Sequence, residues 1–526
     1  MNNINKLYVL ALLAALPFIS AAQQKPNWQN LDLKTDSTFG ISTEKAYKEL
    51  LKGKKSTPVL VAVLDGGVDL NHEDLKRVIW TNKKEIAGNG IDDDKNGYVD
   101  DIHGWNFLGG KTGAIEFETL EITRLVRRDM ARFAGVNVTN VAEKDKADYE
   151  AFLKNRTEVE KELGTAKSNL AGISGFKNVL DAVVKKIGKE NPTKADWENF
   201  KPQGQQETGV RQAIIENLKD SDFKTFYDAQ IAEGYTYYYN QVNYNYNVDY
   251  DPRGMVGDNP NNTKERFYGS ADVKGPDALH GSHVAGIIGA DRSNTLGIKG
   301  VADNVMLMGV RVTPNGDERD KDVANAIRYA ADHGAKVINM SFGKSYSPDK
   351  AAVDEAVKYA ISKDVLLVHA SGNDNKDVDA ADNFPNATYA DGKLASAWLT
   401  VGASGPKDGD DLKAAFSNYG KKSVDVFAPG VRILSTVPDN NKYLEEDGTS
   451  MAAPVVSGLA AMIRSYYPKL TAMQVKEIIM KSVVKINHNV NTMKGADVVS
   501  VPFSDLCVTG GIVNAYNALK LAATYK

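Results

Sequence analysis

Cysteine is almost missing from this sequence: Cys507 is the only one in 526 residues. That excludes an intramolecular disulfide and any metal site built from several thiolates. A charge excess of either sign is missing too, with 64 Lys and Arg against 68 Asp and Glu and a formal net charge of −4. Nothing here supplies the basic surface that releases counterions from phosphate, so no nucleic-acid partner is expected. Long apolar runs are scarce. The longest, residues 7–19, falls short of the roughly 20 residues that span a bilayer, so no stable membrane anchor is expected. Compositional bias is lacking as well: 42% of residues are apolar and 25% charged, which excludes a collagenous or wholly disordered chain.

What is present is unevenly distributed. Lys6, the apolar run 7–19 and the small residues Ser20-Ala21-Ala22 have the layout of a secretory signal peptide over residues 1–22, which predicts a periplasmic or secreted protein. After an N-terminal segment, 23–57, β-rich runs occur at 59–64, 305–312, 336–342, 365–369, 399–401 and 424–427. Helix-period segments such as 322–333 and 350–363 lie between them. Continuous apolar strands alternating with amphipathic helices imply an α/β fold whose mostly parallel sheet is covered on both faces. In such sheets functional groups gather at the C-terminal strand ends. Here those ends read Asp65-Gly66-Gly67, Ser341-Phe342-Gly343 and Ala370-Ser371-Gly372-Asn373.

Residues 108–265 break the alternation and read as a charged helical insertion, with separate helices expected over 141–163 and 169–187. Seven tyrosines fall between Tyr235 and Tyr250. They form either an aromatic contact surface or a strand or coil that packs its rings where the insertion rejoins the core.

Three distant segments carry the groups needed for nucleophilic hydrolysis. Asp65 ends a buried strand, His280 stands where a loop enters a small-residue helix, and Ser450 begins another helix with Pro454 in its first turn. A hydroxyl becomes a useful nucleophile only when a base removes its proton, and an imidazole does so best when an acceptor fixes its tautomer. Alone, each residue is an ordinary cap, core or turn residue. In the order Asp…His…Ser, within Asp65-Gly66-Gly67, His280-Gly281-Ser282-His283 and Gly448-Thr449-Ser450-Met451-Ala452, they resemble the subtilisin-like serine peptidases, or subtilases.

That resemblance implies a subtilisin-like three-layer fold over residues 58–107 and 266–526, and endopeptidase action on peptide or protein substrates. Asp65 would be the orienting acid, His280 the base and Ser450 the nucleophile. Asn373 would be the oxyanion donor, and Ser341, Phe342 and Gly343 the substrate-binding strand. Gly66 stands where the family usually has Ser or Thr, and Ser282 where it has Thr. A catalytically silent binding protein on the same scaffold is the rival reading. An α/β-hydrolase esterase needs a Gly-x-Ser-x-Gly elbow and the order Ser…Asp…His, and Gly-Thr-Ser-Met-Ala meets neither requirement.

The turn from Asn89 to Asp101 clusters oxygen ligands in the spacing of an EF-hand loop's first half. Asp92, Asp94, Asn96, the Tyr98 carbonyl and Asp100 would fill positions 1, 3, 5, 7 and 9 around a structural Ca2+ ion. His103, not Glu, stands at position 12, and the alternative is a plain surface turn.

Overall fold

A computed structural model describes residues 25–218, 222–439, 441–495 and 497–525. The leader expected at residues 1–22 lies outside them. The chain divides into two compact units, one of residues 117–251 and the other of the flanking segments 25–116 and 252–525.

The flanking unit is built on one sheet. Its nine strands are β1 (Val59–Asp65), β2 (Gly104–Asn106), β3 (Val305–Arg311), β4 (Val337–Met340), β5 (Leu366–Ala370), β6 (Trp398–Ser404), β7 (Val426–Pro429), β8 (Val484–Lys485) and β9 (Gly511–Ile512). They lie in the order β8-β9-β7-β6-β5-β4-β1-β3-β2. Every pairing is parallel except β8 with β9 at the edge. Alternation along β1 shows how the layers form. Val59, Val61 and Val63 enter one core cluster with α1 (Leu279–Gly289) and, further along, α4 (Thr449–Tyr466). Leu60, Ala62 and Leu64 enter a second cluster with α2 (Asp320–Asp332) and α3 (Lys350–Ser362). Period-two side chains on a sheet buried on both sides give three layers.

Strand order reverses direction around β1, which lies between β3 and β4. Ligands of open parallel sheets sit outside the carboxyl ends at such a point. Here those ends are Asp65 and the residues just after Met340.

The N-terminal segment belongs to this unit's core. Trp28 is buried in the cluster around α4, and its indole N–H donates to the Val431 carbonyl at 3.1 Å. The Ala515 amide donates to the Ile41 carbonyl at 2.7 Å. Cys507 is 0% exposed, among Phe427, Phe503 and Ile512.

The 117–251 unit is helical. Where two helices were expected, one helix of 42 residues runs from Lys146 to Ile187. Gly164 lies inside it, and a Cβ added there would meet nothing within 4 Å. A helical glycine costs only about 1 kcal/mol relative to alanine, and the buried positions Tyr149, Phe152, Val159, Ala166, Leu180 and Val183 continue on both sides of it. The helix stops at Gly188, whose φ is 76°. The tyrosine-rich end is also helical, over Glu233–Asn240 and a π-turn Gln241–Asn245, instead of the strand or coil expected. Tyr244 stacks on Phe117 with ring centres 4.3 Å apart, while Tyr237 is exposed.

Candidate active site

Asp65 ends β1 with its side chain buried. Its Oδ1 accepts from the Gly66 amide and from His280 Nδ1, both at 2.7 Å. That bond fixes the imidazole tautomer and leaves Nε2 as the basic nitrogen. The residue after His280 makes the approach possible. A Cβ on Gly281 would lie 2.1 Å from the Gly67 carbonyl oxygen, so only glycine lets α1 come this close to the end of β1. Asp65 Oδ2 has no hydrogen-bond partner among the described residues, and Gly66 offers no hydroxyl to supply one.

Burial opposes charging His280, but Asp65, Glu446 and Asp277 outweigh it and raise the imidazole pKa. His283, one turn further along α1, has the opposite environment. It is buried, it bonds the Leu444 carbonyl through Nε2 at 3.0 Å, and desolvation lowers its pKa to about 4.

Ser450 opens α4, and its neighbours decide its setting. Pro454 is the sixth residue of this helix, one turn later than expected. Lacking an N–H, it leaves the Ser450 carbonyl without its helical partner. The Ser341 hydroxyl fills the gap, donating to that carbonyl at 2.9 Å. The Ser450 hydroxyl in turn donates to the Ser341 carbonyl at 3.1 Å. Among the described residues no hydrogen bond joins Ser450 to His280. Asn339 donates to Ser341 Oγ at 3.0 Å and accepts from Ser457 at 2.8 Å, which ties β4 to the middle of α4.

Asn373 is exposed at the end of β5, and its carboxamide has a defined direction. Oδ1 accepts from the Thr449 amide and the Thr449 hydroxyl, both at 2.9 Å. The NH2 end is thereby turned away from Thr449, and it lies 3.6 Å from where a Cβ on Gly448 would stand. His280, Asp65, Ser341, Phe342 and Gly343 line one cavity of about 300 Å³ with Arg311 and Glu318. Burial lifts the Glu318 carboxyl to about 8, against the pull of Lys344.

The family model of the subtilases (Peptidase_S8) matches residues 56–497. The chain belongs to the subtilase family. It is 43% identical over 187 residues to a thermophilic serine proteinase of Bacillus sp. strain AK1, covering 35% of this chain and 42% of that protein. Thermitase of Thermoactinomyces vulgaris is 40% identical over 187 residues, 35% of this chain and 61% of its own length. Subtilisin DY of Bacillus licheniformis is 35% identical over 217 residues, covering 41% and 74%. This subtilase therefore spans about half the length of the first relatives it matches. A protease of known structure from Pseudoalteromonas arctica is 28% identical with a TM-score of 0.40, covering 48% of this chain and 78% of its own.

Several residues that hold the segment after Asn373 carry no recognisable signal of their own. Asn418 Oδ1 accepts from the Asp374 and Lys376 amides at 3.0 and 2.8 Å, bracketing the segment after Asn373. Asn375 adopts φ 53° and donates from its amide to the Phe416 carbonyl at 2.7 Å. Its Oδ1 accepts from Lys413 Nζ at 2.8 Å and Thr492 Oγ1 at 3.1 Å. Lys413 is buried, and among the described residues it forms no ion pair. Desolvation lowers its pKa to about 8.

The acidic turn differs from its expected arrangement. No helix flanks it among the described residues, since none lies between β1 and β2. Asp100 accepts from the Gly88, Asn89 and Gly90 amides at 2.8, 3.2 and 2.9 Å. Asn96 Oδ1 accepts from the Tyr98 amide at 2.7 Å, and the Tyr98 ring is buried against Trp105 and Tyr329. Asp92 and Asp94 meet Glu85 instead, a residue outside the EF-hand spacing.

Proposed function

We propose that this subtilase is an exported serine endopeptidase that cleaves peptide or protein substrates, directed across the membrane by the leader at residues 1–22. The observation that carries this reading is the 2.7 Å bond from His280 Nδ1 to buried Asp65, beside a cavity lined by Ser341, Phe342 and Gly343. An extended substrate lies along residues 341–343. Ser450 Oγ exchanges its bond to the Ser341 carbonyl for one to His280 Nε2, which takes its proton as Oγ attacks the scissile carbonyl. Asn373 Nδ2 and the Ser450 amide hold the oxyanion. His280 then gives the proton to the departing amine, and water hydrolyses the acyl-enzyme by the same base. Asp65 stays ionised and keeps the imidazole oriented.

A fluorophosphonate probe tests this directly. Covalent labelling at Ser450 that is lost in His280→Ala is the expected result. An unlabelled protein that still binds peptides would favour the silent binding scaffold. A structural calcium ion at the acidic turn belongs to the same reading. The residues fit one, because Glu85 Oε2 is a buried carboxylate oxygen without a hydrogen-bond partner among the described residues.

A further inference from the structure

We propose that the N-terminal segment, residues 25–57, stays in the working enzyme as a brace for the start of α4, with Trp28 as its positioning residue. The exposed turn 52–55, Lys-Gly-Lys-Lys, offers a place where this segment could be cut away. Its packing argues against removal. Residues 28–30, 32, 38–43, 46 and 51 are buried, and their bonds reach parts of the chain far apart in sequence. Asn30 Nδ2 donates to the Lys299 carbonyl at 2.9 Å, the Phe39 amide to the Pro406 carbonyl at 2.8 Å, and Asn514 Nδ2 to Ser42 Oγ at 2.8 Å. A removable restraint would dock on an enzyme already formed and cover its site. This segment is laced through the core instead, and among the described residues none of it lines the cavity beside His280.

Trp28 carries the inference. Its indole N–H is shared between the Val431 and Arg432 carbonyls at 3.1 and 3.3 Å. These residues follow β7, and Arg432 adopts φ 49°, a conformation that persists in a non-glycine residue only where its surroundings hold it. The turn they form leads directly to Ser450. The Arg432 amide donates to Asp447 Oδ1 at 2.5 Å, and the Gly448 amide to the Gly430 carbonyl at 2.8 Å. A Cβ on Gly430 would lie 2.6 Å from the Gly448 carbonyl oxygen, so the two stretches touch. Trp28 thus holds 430–432, and 430–432 holds 447–448, the residues just before Thr449 and Ser450.

A second grip falls on the middle of α4. The Tyr47 hydroxyl donates to the Val301 carbonyl at 3.1 Å, with the Arg292 guanidinium 4.3 Å from its ring centre. Val301 packs on α4 at Gly458, where an added Cβ would come within 2.7 Å of the Val301 Cβ. The segment therefore fixes α4 at its start and along its length. A nucleophile works only from a narrow range of positions, so a loosened helix start costs rate before it costs the fold.

This inference rests on the peptidase reading, because the brace serves Ser450, and its test separates the two. The full chain is produced with its leader, labelled with a fluorophosphonate and analysed by intact mass spectrometry. The labelled species should still contain residues 25–57. A labelled species that begins near residue 58 would overturn the proposal. Trp28→Phe keeps a ring and removes the N–H. Its kcat and labelling rate should fall about three- to tenfold at constant KM, and hydrogen exchange at residues 447–451 should speed up. A lower Tm with labelling, kcat and exchange all unchanged would make Trp28 an ordinary core residue and sink the idea. Should Trp28→Phe not fold, Tyr47→Phe loosens the other grip by one hydroxyl, and the same split between kcat and KM is expected; an unchanged kcat there counts against the brace. A wild-type protein that takes no label and cleaves no peptide fails the peptidase reading alone, and exchange at 447–451 in the variants then decides the brace.

Discussion

Two loops of the same unit solve opposite problems. The segment 371–376, which carries Asn373, is fastened entirely by the protein's own donors and acceptors: Thr449 on Asn373, Asn418 on the Asp374 and Lys376 amides, and Lys413 with Thr492 on Asn375. The turn 82–101 is fastened along its backbone, yet it leaves three carboxylates facing one another. Geometry in the first loop is set by folding alone. In the second the carboxylates of Glu85, Asp92 and Asp94 meet without a side-chain cation among the described residues. The difference fits the proposed roles: a donor that waits for a transient negative charge must be in place beforehand, whereas a structural tie can be made conditional.

Breaking the proposed chemistry that the first loop serves should have the largest effects. Ser450→Ala removes the proposed nucleophile and should lower kcat by about 10⁴-fold or more, read with a peptide substrate. Asn373→Ala removes one proposed oxyanion donor and should cost about 10²–10³-fold in kcat with little change in KM. Lys413→Met keeps the volume but withdraws the clamp on Asn375. A loss of about tenfold in kcat at constant KM is expected, equivalent to roughly 1.4 kcal/mol. A matching loss in KM would mean that the clamp shapes substrate binding instead. The second loop should respond to chelation and the first should not: EDTA should speed hydrogen exchange at residues 86–97 and leave 371–376 unchanged.

The smallest expected effect concerns pH. His280 acts as a base only when neutral, and its pKa is raised, so kcat/KM should rise with pH through a midpoint above the ordinary imidazole value of about 6.5. By linkage the same shift favours the folded state below the ordinary value, and that contribution is lost as pH rises through the raised one. Asp277→Asn removes one of the outlying carboxylates and should lower the midpoint by about 0.1–0.7 pH units.

The sheet was legible because its strands are apolar on both faces, a pattern that needs no knowledge of partners. Asp65, His280 and Ser450 could be singled out for a similar reason, since each stands at an element boundary within a distinctive local string. What escaped notice depends on three dimensions. Thr449 lies inside the Gly-Thr-Ser string, but only its contact with Asn373 shows what it does. Lys413 reads as an ordinary charged residue, and nothing local says that it is buried. The meeting of Glu85 with Asp92 and Asp94 has no signal in a spacing rule that looks forward along the loop, because there the chain folds back. The segments 141–163 and 169–187 read as separate helices, and buried positions that continue across Gly164 join them into one.

Cys507 turns its scarcity into a tool. Fully buried, with burial pushing its thiol pKa up, it is closed to alkylating reagents in the folded protein. Any modification at this one position would therefore count opening events of the cluster beneath β7 and β9. The chain carries a built-in clock for its own unfolding, with no second thiol to confuse the reading.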